Sequence, residues 1–337
     1  MIEGHGDDLY KYNDNIRINF SSNIYNHVSY NELHEFIKVK LNLIHSYPSP
    51  LPYKAEERIA IVSGISNKEI CMTNGATEAI YIIAQLYKNR KTTILIPTFS
   101  EYEDACRIHN HKITFSTSIH HIDKESEIVW ICNPNNPTGE VVDKLIVEKI
   151  INDNPEKLFV IDQSYECFTD KPLFAAHEAK EYKNVIIIHS MTKEYAVPGL
   201  RIGYITACKD IIKKIISQRM PWSVNTLAIE TAIFLADNPK IYNFNLRQLL
   251  SEKDRIIESL KKIDGIEPLP SDTHFILIKL NRGRASELKE YLIANYGILI
   301  RDASNFRGLD ENYFRIAIQT SNENDELIKR IEEWINL

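Results

Sequence analysis

The run Ile128-Val129-Trp130-Ile131 belongs to a series of short apolar segments that decides the fold. The other members of the series are Ile94-Leu95-Ile96, Leu158-Phe159-Val160-Ile161 and Val185-Ile186-Ile187-Ile188. Their successive residues are apolar, which is typical of strands that are covered on both faces of a parallel sheet. Segments of helical spacing, such as residues 77–87 and 144–152, lie between them. This alternation predicts an α/β fold whose central, mostly parallel sheet carries helices on both faces.

Both ends of the chain depart from this alternation and predict a smaller α+β domain. Residues 31–44 have apolar side chains at helical spacing. Beyond the polar break at residues 236–239, the predicted elements are helices at 244–263, 286–295 and 324–337 and strands at 275–280, 298–301 and 313–318. We therefore expect three parts: an N-terminal arm and helix associated with the small domain (1–44), a large domain (45–236) and a small C-terminal domain (237–337).

Composition excludes several classes of protein without selecting a reaction. The chain has 337 residues, is 44% hydrophobic and carries 40 basic against 46 acidic side chains, so its formal charge is −6. This weak and evenly spread charge does not favour nucleic-acid binding. No apolar run reaches the roughly 18–20 residues of a membrane span, and the N-terminus does not have the pattern of a secretory signal. Five cysteines without a C-x-x-C pair indicate free thiols in a reducing cytoplasm.

One lysine stands in a context that suits covalent chemistry. Ser190-Met191-Thr192-Lys193 directly follows an apolar run, and Arg201 comes shortly after. A lysine at the edge of a buried strand is partly desolvated, which lowers the pKa of its amine and allows a Schiff base with an aldehyde. Ser190 and Arg201 could hold a phosphate group. The alternative is an ordinary exposed lysine in a loop.

Polar side chains also follow two other predicted strands. Asn136 lies in the loop Asn133-Pro134-Asn135-Asn136-Pro137-Thr138-Gly139, at the carboxyl end of a strand, where open α/β sheets bind ligands. Asp162 ends the next run and is followed by Tyr165. A carboxylate in this position could pair with a protonated pyridine nitrogen. A simple turn, a helix cap or a surface salt bridge are the alternatives.

Two further features predict anion binding. Thr73-Asn74-Gly75-Ala76-Thr77-Glu78 opens a helix, and its small residues allow backbone amides to approach an anion. Arg301 ends a predicted strand, and Arg315 lies within another. A guanidinium group binds carboxylate or phosphate through two parallel hydrogen bonds. Ordinary helix capping and internal salt bridges are the alternatives.

In their order along the chain, these motifs resemble those of the fold type I, pyridoxal-phosphate-dependent aminotransferase family. The matching residues are Asn136, Asp162, Tyr165, Ser190, Lys193, Arg201 and Arg315. The resemblance extends from about residue 4 to residue 335. His5-Gly6 and residues 19–24 resemble the branch that holds histidinol-phosphate aminotransferases and L-threonine-O-3-phosphate decarboxylases. Residues 218–225, 298–302 and 305–310 resemble the decarboxylases of cobalamin biosynthesis more specifically.

This resemblance implies that the large domain binds pyridoxal 5′-phosphate. Lys193 would carry the cofactor covalently, Asp162 would keep its pyridine nitrogen protonated, and Tyr102 would stack on its ring. Asn136 and Tyr165 would bind the ring hydroxyl. The cofactor phosphate would be held by Gly75, Ala76, Thr77, Ser190 and Arg201, with Tyr47 supplied by a neighbouring subunit. The resemblance therefore also implies a homodimer.

The substrate implied by the resemblance is a small phosphorylated amino acid. Arg315 would bind its carboxylate, with Asn136 beside it. The substrate phosphate would be held by His5, Gly6, Asn23 and Arg301. The expected reaction is decarboxylation of L-threonine O-3-phosphate to (R)-1-amino-2-propanol O-2-phosphate in the cytoplasm, with no metal, nucleic acid or membrane partner.

Three alternatives remain open at this point. The first is an aminotransferase that acts on histidinol phosphate or another amino acid, because both reactions share the motifs above. The second is a non-catalytic regulator that binds the cofactor and carries a DNA-binding module. The third is a metal site built from His109, His111, His120 and His121.

Three stretches depart from the pattern of the relatives and bear on the identity of the substrate. His274 occupies a position where these relatives usually have asparagine. Gln163-Ser164 replaces the more usual Glu-Ala after the aspartate, and residues 48–53 are rich in proline.

Overall fold

The computed structural model describes residues 8–12, 15–242 and 244–337. Its strands are β1 (Ile18–Asn19), β2 (Ile70–Asn74), β3 (Lys91–Leu95), β4 (Lys112–Ser116), β5 (Ile128–Cys132), β6 (Leu158–Asp162), β7 (Val185–Ser190), β8 (Ile202–Ala207), β9 (Ile266–Pro268), β10 (Phe275–Leu280), β11 (Ile298–Leu299), β12 (Arg301–Asp302) and β13 (Tyr313–Ala317). Its α-helices are α1 (Asn31–Lys40), α2 (Tyr53–Val62), α3 (Gly75–Leu86), α4 (Glu101–Ile108), α5 (Lys144–Asp153), α6 (Ala176–Ala179), α7 (Met191–Glu194), α8 (Lys209–Ile216), α9 (Thr226–Asp237), α10 (Leu246–Leu260), α11 (Ala285–Tyr296) and α12 (Ser321–Ile335). None of these helices is long and apolar enough to cross a bilayer.

A seven-stranded sheet in the order β2-β8-β7-β6-β5-β3-β4 forms the centre of the large domain. Strands β7, β6, β5, β3 and β4 are parallel, and β8 is antiparallel to both of its neighbours. Val160 packs in one apolar cluster with α3, whereas the adjacent Phe159 packs in another with α5. Both faces of the sheet are therefore covered by helices, which confirms the predicted mostly parallel α/β fold.

The carboxyl ends of the central strands meet at one edge of this sheet. Strands β5 and β6 end at Cys132 and Asp162, which pair directly, whereas β7 extends two residues beyond Ile188, the partner of Asp162, to Ser190. The loop 133–139 and helix α7 begin at this edge. The three polar motifs that follow the apolar runs are thus brought together by the register of the sheet.

A second, antiparallel sheet in the order β12-β13-β10-β9 lies in the C-terminal part of the chain. Helices α10, α11 and α12 pack around it through a shared apolar cluster. Arg315 of β13 pairs with Leu277 on one side and with Arg301 of β12 on the other. The register therefore brings the two predicted arginines next to each other.

The N-terminal segment contacts both parts of the molecule. β1 pairs in parallel with β11, Ile18 with Ile298, and Phe20 joins the cluster of the small sheet. Helix α1 instead packs on the large domain, where Phe36 stacks on Phe234 of α9 at 4.3 Å between ring centres. The division of the chain at residues 44 and 236 therefore stays a prediction.

Candidate active site

A cavity of about 430 Å³ lies between the carboxyl edge of the central sheet and the small antiparallel sheet. The predicted site residues that line it are Asn23, Ala76, Thr77, Tyr102, Asn136, Asp162, Tyr165, Ser190, Lys193, Arg201, Arg301 and Arg315. Of the predicted site residues that the structure describes, Gly75 and Tyr47 are not among the residues that line the cavity. Tyr47 is 89% exposed, and His5 and Gly6 lie outside the described residues.

Asp162 is a buried carboxylate at the floor of this cavity. Its Oδ2 accepts a hydrogen bond of 2.8 Å from the Tyr102 hydroxyl, and its Oδ1 accepts one of 2.9 Å from the backbone amide of Ser164. Burial raises the pKa of Asp162, and the hydrogen bonds from Ser164 and Tyr102 oppose that rise. The Tyr102 ring also stacks on Trp130 at 5.4 Å between ring centres. Asp162 is therefore held in a fixed orientation and is poised to pair with a cation.

Lys193 lies in the short helix α7, directly after the strand β7. Its ammonium nitrogen is 5.9 Å from the centre of the Tyr165 ring. The Tyr165 ring packs edge-on against Phe275 at 5.0 Å. Burial raises the pKa of the Tyr165 phenol to about 12, so this hydroxyl keeps its proton at neutral pH and can donate a hydrogen bond.

Gly75 and Arg201 form a cup at the N-terminus of α3. Gly75 has a φ of +77°, and a Cβ built on it would lie 2.5 Å from Nη2 of Arg201. Only glycine therefore allows the guanidinium group to approach the first turn of the helix. The amides of Ala76 and Thr77, the helix dipole and this cation all favour an anion at the same place.

Arg315 is a buried cation that binds uncharged oxygens. Nη1 donates to Oδ1 of Asn136, and Nη2 donates to the backbone carbonyl oxygen of Ser21 at 2.6 Å. Its Nε has no hydrogen-bond partner among the described residues. Burial lowers the pKa of Arg315, and the nearby Arg301 lowers it further. Because no ion pair joins Arg315 to a carboxylate in the described part of the chain, the alternative of an internal salt bridge is not supported.

Arg301 forms a second cationic wall of the cavity. Its guanidinium group donates to the backbone oxygen of Asp302 and to Oδ1 of Asn305, both at 2.7 Å. The guanidinium lies 5.2 Å from the centre of the Phe306 ring. Asn23 is 2% exposed, and its amide has no hydrogen-bond partner among the described residues. A buried cation and a buried amide thus line the same cavity as Arg315.

The family to which these features belong is shown by comparison with known proteins. The family model "Aminotransferase class I and II" matches residues 15–331. The chain belongs to this family. It is a family of fold type I enzymes that depend on pyridoxal phosphate, so the predicted family and cofactor are confirmed.

Individual relatives of this chain differ in the reaction that their names state. The chain is 38% identical to L-threonine-O-3-phosphate decarboxylase from Porphyromonas gingivalis, with a TM-score of 0.93 and coverage of 95% of this chain and 100% of that one. It is 28% identical to histidinol-phosphate aminotransferase of Methanocaldococcus jannaschii, over 90% of this chain and 86% of that protein. It is 33% identical to the adenosylcobalamin biosynthesis bifunctional protein CobDQ of Leptospira interrogans, over 92% of this chain and 38% of that longer protein.

The described residues of this aminotransferase-family chain fit the cofactor. Any side chain at position 75 would collide with the Arg201 guanidinium, and the cup presents backbone amides and this cation to an anion. Asp162 and Lys193 line the same cavity as the cup. The phosphate, the pyridinium nitrogen and the aldehyde of the cofactor would thus each find a matching partner, in the cup, Asp162 and Lys193 respectively.

Several residues that line the cavity were not assigned a role from the sequence. They include Ser21, Phe99, Cys132, Ser164, Asn305 and Phe306. Cys132 is buried, and burial raises the pKa of its thiol to about 12, yet it also lines the cavity. Asn305 lies in a loop without a periodic pattern, and its proximity to Arg301 depends on the fold of that loop.

His274 lies behind the cavity wall. It is fully buried, and its ring stacks on Phe168 at 3.6 Å between ring centres. Neither ring nitrogen has a hydrogen-bond partner among the described residues. Burial holds the pKa of His274 well below its usual value, and the positive charges of Arg315 and Lys193 add to this effect. The imidazole is therefore neutral in the folded protein at neutral pH.

The metal-binding alternative finds no support in the described ranges. They contain no group of three or more His, Cys, Asp or Glu that could hold a metal ion. Both nitrogens of His111 already have partners, Oγ1 of Thr92 at 2.7 Å and the carbonyl oxygen of Ala84 at 2.9 Å. These contacts tie β3 and α3 to the histidine, which accounts for its burial.

Proposed function

We propose that this protein decarboxylates L-threonine O-3-phosphate with the help of pyridoxal phosphate. The observation that carries the proposal is the pair of buried guanidinium groups, Arg301 and Arg315, in the wall of one cavity. They are close enough for Arg301 to lower the pKa of Arg315. Two adjacent buried guanidinium groups in the wall of one cavity suit a small substrate that carries two anionic groups at once.

The cofactor would be held by the groups at the sheet edge. The cup of Gly75, Ala76, Thr77, Ser190 and Arg201 would bind its phosphate. Asp162 would accept a hydrogen bond from the pyridinium nitrogen and so keep it protonated. Asn136 and Tyr165 would bind the hydroxyl group of the cofactor ring. Tyr102, which packs on Trp130 with one face, would stack on the cofactor ring with its other face. Lys193 would carry the cofactor through its amine.

The substrate would be gripped at both ends. Arg315, with Asn136, would bind the carboxylate, and Arg301 with Asn23 would bind the phosphate. His5 and Gly6 belong to the same proposal and lie outside the described residues. Gripping both ends fixes the rotation about the bond between the α-carbon and the nitrogen, which decides which bond at the α-carbon is weakened.

Bound pyridoxal phosphate supplies an electron sink for the pair of electrons that a departing group leaves on the α-carbon. Arg315 would hold the carboxylate in the orientation that favours cleavage of the bond between the α-carbon and the carboxyl carbon, with CO2 as the leaving group. Lys193 would then deliver a proton to the α-carbon, in the place of the departed carboxyl group. The product is 1-amino-2-propanol O-2-phosphate.

The comparisons support this proposal without separating it from transamination. The 38% identical solved structure carries the name of the decarboxylase, and CobDQ carries that of a protein of adenosylcobalamin biosynthesis. The aminotransferase of Methanocaldococcus jannaschii is 28% identical over most of the chain. Transamination of histidinol phosphate is therefore the second candidate. That substrate has a phosphate but no carboxylate, so it would occupy only one of the two buried arginines at a time.

Release of CO2 tests the proposal. The purified protein, saturated with pyridoxal phosphate, is incubated with O-phospho-L-threonine in the absence of a 2-oxo acid. We expect steady release of CO2, and no release from L-threonine, which has no phosphate for Arg301. Turnover of histidinol phosphate that requires 2-oxoglutarate, with no CO2 from O-phosphothreonine, would establish the second candidate instead.

The assembly and location belong to the same proposal. Tyr47 is exposed and packs on Trp222 at 5.8 Å between ring centres, away from the cavity of its own chain. In a homodimer it would reach the cofactor phosphate of the neighbouring subunit. We place this homodimer in the cytoplasm.

A further inference from the structure

One loop of the small domain reaches across to the large domain at the mouth of the cavity. It comprises residues 302–310 and is called the 302–310 loop. Asn305 and Phe306 of this loop line the cavity, and Asn305 accepts the hydrogen bond from Arg301 described above. The next residue, Arg307, contacts the large domain. The loop therefore joins the proposed phosphate subsite to a surface on the other side of the cavity.

The contact surface on the large domain is Glu103 of helix α4. Nε and Nη2 of Arg307 each donate a hydrogen bond of 2.7 Å to Glu103, one to each carboxylate oxygen. The Arg307 guanidinium also lies 4.3 Å from the centre of the Phe115 ring. The Glu103 side chain is 8% exposed. Arg307 thus forms two hydrogen bonds with a buried carboxylate and also stacks on an aromatic ring. Such a contact is stronger than an ordinary ion pair on the surface.

Glu103 occupies a position that couples this contact to the cofactor site. It directly follows Tyr102, whose hydroxyl is bonded to Asp162. Although burial raises the pKa of Glu103, the hydrogen bonds from Arg307 and Arg107 bring it below its usual value. Glu103 therefore stays charged and keeps its attraction for the loop at neutral pH.

A second arginine on the same carboxylate provides an internal comparison. Arg107 pairs with Oε1 of Glu103 at 2.6 Å. Both residues belong to helix α4, so this pair does not connect the two domains. Arg307 reaches the same group from the other domain. The two arginines thus share a partner and a type of bond but differ in what they join.

We infer that the Arg307–Glu103 ion pair is a latch that positions the substrate-phosphate subsite. It holds the 302–310 loop against α4, so that Asn305 and Phe306 keep the Arg301 guanidinium aimed into the cavity. Arg307 and Glu103 are positioning residues, because neither of them lines the cavity and both act through Arg301. This inference rests on the proposed function for the identity of the anion that Arg301 binds.

The test compares Arg307→Met with Arg107→Met in the cofactor-loaded protein. Each variant removes one cation from Glu103 and replaces the stem of the arginine by an unbranched apolar side chain. For Arg307→Met we expect the KM for O-phosphothreonine to rise about three- to tenfold with kcat changed by less than about twofold, because a preformed subsite is lost. Amide hydrogen exchange in residues 302–310 should become faster. Arg107→Met should change neither quantity.

The outcomes separate the latch from a general structural role. Arg307→Lys keeps the charge but not the two-point geometry, so it should restore part of the wild-type KM and exchange rate. Equal effects of Arg307→Met and Arg107→Met, or an unchanged exchange rate in Arg307→Met, would overturn the latch. If the wild-type protein releases no CO2, the proposed function fails, whereas the exchange comparison still decides the latch because it requires no turnover.

Discussion

At the scale of single residues, Arg301 and Arg315 carry separate parts of the proposed recognition. Arg315→Lys removes the planar fork from the carboxylate subsite, and we expect kcat/KM for O-phosphothreonine to fall by about 100-fold. Inhibition by O-phosphoethanolamine, which has an amine and a phosphate but no carboxylate, should stay within about threefold of wild type. Arg301→Lys should weaken that inhibition. Steady-state kinetics with both variants measures these effects, and an equal loss in both would contradict the division.

His274 makes a second prediction, on stability against pH. Its pKa is held well below 6.5 in the folded protein by burial, so the unfolded chain binds a proton at this residue while the folded chain does not. Stability is therefore retained above about pH 6.5 and falls as the pH drops below it, by at most about 1.4 kcal/mol per pH unit.

The variant His274→Phe keeps an aromatic ring against Phe168 and removes the titration. We expect its unfolding free energy to fall less steeply between pH 6.5 and pH 5 than that of wild type, as measured by urea denaturation. His111, whose pKa burial also lowers, would keep part of the slope. The exposed residue His45 supplies a control, His45→Gln. A wild-type slope in His274→Phe would refute the assignment.

At the scale of elements, the N-terminus of α3 depends on glycine at position 75. Gly75→Ala places a Cβ 2.5 Å from Nη2 of Arg201 and strains a backbone with φ of +77°. We expect the Kd for pyridoxal phosphate to rise at least about tenfold, because the cation must leave the cup. Gly64→Ala is the matched control, since Gly64 has φ of +66° and no atom within 4 Å of the added Cβ.

Both glycine variants should lose stability, by roughly 1–2 kcal/mol from the left-handed backbone. Only Gly75→Ala should lose cofactor affinity. Titration of the apoprotein with pyridoxal phosphate, followed by absorbance, measures this. If both variants bind the cofactor equally well, the cup is not where its phosphate lies.

Elements with a strong pattern could be predicted from the sequence, and those without one could not. The four fully apolar runs overlap β3, β5, β6 and β7, with Ile96 just beyond the end of β3, because continuous burial on both faces leaves a clear signal. Strands β2, β4 and β8 were not predicted. β4 is only partly buried, and its residues Lys112-Ile113-Thr114-Phe115-Ser116 mix polar and apolar side chains. Its place at the sheet edge comes from tertiary pairing with β3.

The site divides in the same way. Lys193, Asp162 and Asn136 could be found because each follows a recognisable strand or loop motif. Asn305, Phe306 and Glu103 were not given a role, because their positions depend on contacts between distant parts of the chain. Arg307 and Glu103 are separated by 204 residues along the sequence. No local pattern encodes such a contact.

At the scale of the whole molecule, the exposed Tyr47 predicts shared active sites. Mixed dimers of Tyr47→Phe and Lys193→Ala subunits test this. If Tyr47 acts on the neighbouring subunit, one site of each mixed dimer has both native residues and should show wild-type cofactor affinity. If Tyr47 acts within its own chain, every site that keeps Lys193 also has the Tyr47→Phe substitution. Wild-type affinity at half of the sites is expected; uniformly weakened affinity would contradict the shared site.

The most direct measurement of the central claim is proton NMR of the product formed in D2O. The wild-type protein, loaded with pyridoxal phosphate, is given O-phospho-L-threonine as its only substrate. We expect 1-amino-2-propanol O-2-phosphate with a single deuterium at C1, since the carboxyl group leaves and one deuteron from the solvent takes its place at the α-carbon. A product that forms only when a 2-oxo acid is added, with the amino group transferred to that acid and the carboxylate retained, would contradict the claim.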